Sequence, residues 1–243
     1  MPDAEALAAE AAERFIQLSQ EGIAARGRFT VALSGGSTPA KLYACLAEPA
    51  QRDRVSWDQT FFFTGDERFV PQDDERSNFG LARRALLEPI GVPESNWFPM
   101  PTPPLATDLA DAAHRYMDTL ATFFQAPRLD APPVFDLILL GLGDDGHTAS
   151  LFPGMPALEA QAVWVTGTPP GTLPPPVPRL TLTFPILNCA RSTLFLVAGA
   201  GKADALQATL KAGALPKTHP AAGIRPANGT LTFLLDQAAA ARL

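Results

Sequence analysis

Phe135–Gly154 reads FDLILLGLGDDGHTASLFPG, an apolar run that empties into a glycine-rich turn. A strand that is apolar at successive positions, rather than at every second one, is covered on both faces, as the strands of parallel sheets are. The turn after it carries Asp144, Asp145 and His147, the last being one of only three histidines in the chain. In open parallel sheets ligands bind beyond the carboxyl ends of the strands. An imidazole two residues from an acid at such an end is placed for proton transfer, because the carboxylate can hold the ring in one tautomer.

The same alternation continues outward from this stretch. Pattern predicts a helix over 3–26, a strand at Phe29–Leu33, a helix from Pro39 to Leu46 and a strand at Thr60–Thr64. A helix from Ser77-Asn78 through Leu87 and another over Thr107–Phe124 precede the central strand, and a helical turn near His147–Leu151 follows it. Val163–Val165, Leu180–Thr183, Thr193–Val197 and Leu231–Leu235 read as further strands, Gly201–Lys211 as a helix and Asp236–Ala241 as a last helical segment. Strands alternating with helices predict an α/β, Rossmann-like fold: a mostly parallel sheet with helices on both faces. The proline-rich stretches Pro99–Pro104 and Pro169–Pro178 are too short to be linkers, so one domain over 1–243 is expected.

With 47% hydrophobic and 18% charged residues the chain has the make-up of a folded globular protein. A net charge of −6 argues against nucleic acid as a partner. Cys45 and Cys189 lie at no zinc spacing and read as reduced thiols. The N-terminal residues lack a signal pattern and no run approaches the roughly 18 apolar residues of a span. A cytoplasmic protein, with no membrane partner, is the expectation.

Four further stretches hold candidate chemistry. Ser34-Gly35-Gly36-Ser37-Thr38-Pro39 joins a strand to a helix; converging amides at a helix N-terminus suit a phosphate, although a plain turn would use the same residues. Gly65-Asp66-Glu67-Arg68 offers two acids and a cation for sugar hydroxyls and an anion, or is simply a solvated loop. Arg179 follows the run Pro174-Pro175-Pro176-Val177-Pro178, and a guanidinium on a stiff segment suits a fork gripping phosphate. Lys202, after the strand ending at Val197, is a second cation, placed where a helix dipole would disfavour it. Gly141-x-Gly143-x-x-Gly146 matches a dinucleotide fingerprint literally, but Asp144 and Asp145 fall where a pyrophosphate would lie. Asp145 and His147 lack a third ligand for a metal. His114 and His219 have no catalytic context. No Gly-x-Ser-x-Gly elbow supports a serine hydrolase, and Ser150 reads as a helix residue.

Taken in order, Ser34–Pro39, Gly65-Asp66-Glu67-Arg68-Phe69-Val70-Pro71 with Ser77-Asn78, Gly141–Pro153 and Arg179-Leu180-Thr181-Leu182-Thr183 resemble the 6-phosphogluconolactonase family, within the glucosamine-6-phosphate isomerase/deaminase superfamily. Thr64 departs from the pattern, standing where a large aromatic would be expected. The resemblance implies hydrolysis of 6-phospho-D-glucono-1,5-lactone in the oxidative pentose phosphate pathway, without a cofactor or metal. It implies His147 as general base with Asp145 beside it, and Arg179 and Lys202 on the phosphate. Gly35, Gly36, Ser37, Thr38, Asp66, Arg68 and Asn78 complete the expected substrate site, in an enzyme taken to be a monomer. Two other readings stay open at this point: a glucosamine-6-phosphate deaminase, and a non-catalytic sugar-phosphate sensor.

Overall fold

The computed structural model describes residues 1–126, 131–171 and 176–243. Among the described residues nine strands run in chain order: β1 (Phe29–Leu33), β2 (Thr60–Thr64), β3 (Asp66–Arg68), β4 (Trp97–Phe98), β5 (Leu137–Leu140), β6 (Val165–Thr168), β7 (Arg179–Leu182), β8 (Ser192–Val197) and β9 (Thr230–Leu235). Six of them form a sheet of order β4-β2-β1-β5-β8-β9, parallel at every pairing.

The continuous apolar strands divide their side chains between two cores. Phe29, Val31 and Leu33 of β1, with Leu137 and Leu139 of β5, face the layer built by Leu7, Phe15 and Leu42. Ala32, Ile138 and Leu140 face the opposite layer, with Phe63, Tyr116 and Phe135. Helix α1 (Ala4–Arg26) starts where the Asp3 carboxylate accepts the Ala6 N–H at 2.8 Å, and stops at Gly27, whose φ of 70° closes the last turn. Phe15 of α1 meets Phe29 edge-on at 5.4 Å, joining helix to sheet.

The chain travels from β1 outward through β2 to β4, then returns to the other side of β1 as β5. The strand order reverses between β1 and β5. A crevice opens at the carboxyl ends of those two strands, so topology alone selects the loops after Leu33 and Leu140 as the binding edge.

The fold departs from the sequence reading in four places. β6 and β7 do not join the parallel sheet. They form an antiparallel sheet of order β3-β7-β6, pairing Asp66 with Thr181 and Arg68 with Arg179. Only residues 169–178 separate them, fewer than the roughly dozen or more that a crossover between parallel strands needs. Pro174 and Pro175 of the proline run lie outside the described residues. His147–Leu151 is a turn closed by a bridge between Thr148 and Leu151, not a helix, because Gly146 and Ala149 take φ of 82° and 48°. Residues 236–241 are likewise turns rather than a helix; the Asp236 carboxylate accepts from Gly199 N and Ala239 N. Trp97–Phe98 adds a two-residue edge strand too short to leave a periodic pattern. Thr64 earns its place: its hydroxyl accepts the Met100 N–H at 2.9 Å, and the Tyr116 hydroxyl donates to its carbonyl at 3.0 Å. Among the described residues no helix is long and apolar enough to cross a membrane.

Candidate active site

The cleft at the β1/β5 crevice has a volume of about 370 Å³. Its first wall is the turn after β1. Gly36 takes φ of 105° and lends no side-chain cap to α2 (Ser37–Ala47), so the first amides of that helix are left for another acceptor. The Tyr43 hydroxyl ties the turn down, donating to Ser34 O at 2.6 Å and accepting from Ser34 N at 3.2 Å. Gly35 is required by contact: a Cβ there would fall 1.7 Å from Asn78 Oδ1.

The second wall comes from β3, which leaves the main sheet after Gly65. Asp66 is buried; its Oδ2 accepts the Ser150 hydroxyl at 2.7 Å and its carbonyl accepts Asn78 Nδ2 at 2.9 Å. Arg68 donates to Asn78 Oδ1 and, at 3.1 Å, to Arg76 O. Glu67 points the other way and does not reach the cleft. It is wholly buried and receives four donors: Arg68 N at 2.8 Å, Asn78 N at 2.7 Å, Phe79 N at 2.8 Å and the Ser77 hydroxyl at 3.1 Å. It therefore serves as the anchor that holds Asn78 and Arg68 at the wall of the cleft.

Burial pushes the Glu67 carboxyl up to about 7; the amides of Phe79, Asn78 and Arg68 act against that, and the Asp66 charge adds to it. Glu67→Gln aims an amide NH₂ at these donors. It should cost about 1–3 kcal/mol and raise KM as Asn78 and Arg68 lose register. The sign of the pH dependence follows from linkage. The folded chain binds this proton more tightly than the unfolded chain, whose value is near 4.5, so the group's contribution to stability declines as pH rises from 4.5 to about 7. Thermal melts should therefore show a larger penalty for the variant at pH 5 than at pH 8.

The third wall is the turn after β5. Gly143 N donates to His147 O at 2.9 Å and Gly146 N to Gly143 O at 3.0 Å, folding the loop back on itself. Asp145 Oδ1 accepts His147 N at 3.0 Å and lies 2.6 Å from His147 Nδ1. Burial tends to raise the Asp145 carboxyl, but the hydrogen bond and charge of His147 outweigh it and the net direction is down. An ionised Asp145 can only accept, so the ring hydrogen sits on Nδ1 and the Nε2 lone pair is left for chemistry. Asp145 itself is behind the ring rather than in the cleft. Phe152 packs on the imidazole at 4.6 Å between centroids, and the Arg179 guanidinium lies 5.3 Å from that same ring.

Arg179, at the start of β7, is 4% exposed and lines the cleft opposite the glycine turn of β1. Burial draws its pKa down, Asp66 opposing that and Arg68 reinforcing it. Lys202 enters from the loop after β8, its Nζ 2.6 Å from Asp144 Oδ1. The expected residues Gly35, Gly36, Ser37, Thr38, Asp66, Arg68, Asn78, His147, Arg179 and Lys202 all border this one cleft. The literal dinucleotide match fails, since no helix follows Gly146 to receive a pyrophosphate. Among the described residues no three His, Cys, Asp or Glu side chains gather as metal ligands. Sequence reasoning missed Glu67 as an anchor, Ser150 as a partner of Asp66, and Phe152 as the plate beneath His147. Only Phe152 left a signal, its place five residues after the histidine.

Comparison with known proteins gives a consistent picture. The sequence model described as glucosamine-6-phosphate isomerases/6-phosphogluconolactonase matches residues 2–233. A 6-phosphogluconolactonase of Synechocystis sp. is 48% identical over 224 residues, covering 92% of this chain and 88% of that protein. The solved 6-phosphogluconolactonase of Trypanosoma brucei superposes with a TM-score of 0.85 at 32% identity, over 100% of this chain and 97% of that one. A monomeric glucosamine-6-phosphate deaminase shares the fold, with a TM-score of 0.83 at 21% identity over 100% of this chain and 98% of that one.

Proposed function

The chain belongs to the glucosamine-6-phosphate isomerase/6-phosphogluconolactonase family, and from that membership we propose that its cleft hydrolyses 6-phospho-D-glucono-1,5-lactone to 6-phospho-D-gluconate. The observation that carries this reading is the His147–Asp145 pair, 2.6 Å apart, on the rim of a cleft whose other walls hold an uncapped helix start and three cations.

A lactone is an activated ester, so water needs only a base and an oriented carbonyl. His147 Nε2 takes a proton as water adds to C1. The tetrahedral intermediate then collapses, the C1–ring oxygen bond breaks, and the imidazolium returns its proton to the departing oxygen. Atoms balance: one water is consumed, one carboxylic acid and one hydroxyl are formed. The phosphate stays intact. Held by the amides of Gly35–Thr38, by Arg179 and by Lys202, it fixes the carbonyl before His147, so remote binding energy is spent on orientation. Asp66 and Asn78 meet sugar hydroxyls, and Arg68 neutralises the oxyanion. No cofactor is needed, and the same reading takes the protein as a cytoplasmic monomer.

Arg179→Ala should raise KM for the phosphorylated lactone about 10- to 100-fold with a smaller change in kcat. Unphosphorylated glucono-1,5-lactone should show no such rise; an equal change for both would take Arg179 off the phosphate. Assaying the protein with both family substrates tests the function. Lactone ring opening well above the buffer rate is expected, and ammonia release from glucosamine 6-phosphate without faster lactone decay would reverse the assignment in favour of the deaminase.

A further inference from the structure

We propose that Asp144 is a specificity-determining residue: an internal anion that occupies Lys202 when the cleft is empty and weakens the hold on the phosphorylated product. This inference rests on the reading of Lys202 as a phosphate ligand.

The geometry sets Asp144 apart from its neighbour. Asp145 is tied to the turn through His147 N and Nδ1. The Asp144 carboxylate makes no hydrogen bond among the described residues except to Lys202. The turn does not need it, because the Gly143–Gly146 and Gly143–His147 bonds are made by backbone alone. Its side chain is 58% exposed and that of Lys202 31%, yet both border the cleft. An ion pair this exposed contributes little to stability. Its consequence is for ligands. A phosphoryl group that takes Lys202 must displace Asp144 or sit beside it, and either weakens anion binding.

The penalty differs between the two ends of the reaction. The lactone brings only its phosphate, whereas the product brings a carboxylate as well, and that carboxylate forms at His147, three residues from Asp144. The fixed anion therefore opposes product more than substrate. Its effect is to let product leave from a cleft that contains Arg68, Arg179 and Lys202.

The test compares Asp144→Asn with the unaltered protein, and Asp144→Ala as a second variant should behave alike. Titration calorimetry should show 6-phosphogluconate binding about three- to tenfold more tightly to the variants. KM for the phosphorylated lactone should fall by a smaller factor, KM for unphosphorylated glucono-1,5-lactone should not move, and the gain should shrink at high salt. Product affinity that is unchanged or weaker in the variants overturns the proposal; a weaker hold would make Asp144 a support for Lys202 instead. Lys202→Ala separates the two layers of argument. A rise in KM confined to the phosphorylated lactone upholds Lys202 as phosphate ligand, so that failure of the Asp144 variants then counts against this inference alone. No rise would remove Lys202 from the phosphate and overturn both.

Discussion

His147→Ala is expected to lower turnover of the phosphorylated lactone by about 10²–10⁴-fold and to leave 6-phosphogluconate binding within a few-fold of the unaltered protein. The reason lies in the division of labour. The imidazole borders the cleft, but the charges on a phosphate would be met by Gly35–Thr38, Arg179 and Lys202 on other elements. Removing the ring takes away the proton acceptor and leaves that grip in place. Steady-state rates, corrected for spontaneous lactone decay, measure the first effect, and calorimetry with product measures the second. A variant that keeps its rate would show that water is activated elsewhere. A variant that loses binding in step with rate would make His147 a ligand for the sugar rather than its base.

Gly143→Ala should come close to matching that loss without replacing any titratable group. A Cβ on Gly143 would lie 2.0 Å from His147 Nδ1, 2.2 Å from Cε1 and 2.8 Å from Asp145 Oδ1. The backbone at Gly143 is outside the left-handed region, so the objection to alanine is purely one of space. The ring has little room to retreat, with Phe152 packed against it at 4.6 Å and its own carbonyl held by Gly143 N. It must swing off Asp145, and a displacement of about 1 Å at a reacting group is enough to cost ~10²-fold in rate. Overpacking of this kind costs about 1–3 kcal/mol, so the variant remains folded with a Tm only several degrees lower. The expected pattern is a kcat reduced about 100-fold or more, a modest change in KM and an intact melt. Full activity in Gly143→Ala would mean that the imidazole does not work from the position seen beside Asp145.

What the sequence made legible follows from the range of the interactions involved. β1 and β5 could be read because burial on both faces leaves a continuous apolar run, and the turns that follow are local. His147 and Asp145 are two residues apart, so their contact is a short-range matter. Glu67 was not legible in the same way. A carboxylate in a Gly-Asp-Glu-Arg run suggests a polar loop or a sugar contact. Its actual surroundings are supplied by Ser77, Asn78 and Phe79, ten to twelve residues on. The antiparallel sheet was hidden for a similar reason: β3 is three residues long, and its pairing of Arg68 with Arg179 spans more than a hundred positions. Ser150 was misread because the positive φ of Ala149 cannot be foreseen from an alanine. That backbone turn replaces the expected helix and sends the Ser150 hydroxyl to Asp66.

If His147 delivers water straight to the lactone carbon, a single turnover in H₂¹⁸O with enzyme in excess over lactone will show it in the position of the label. Ring opening far faster than in buffer is expected, with one ¹⁸O atom in the carboxylate of the first-turnover product and no label in the protein. An unlabelled product with ¹⁸O recovered in Asp66, Asp144 or Asp145 would reveal a carboxylate nucleophile, and a rate no greater than that of buffer would deny the reaction altogether.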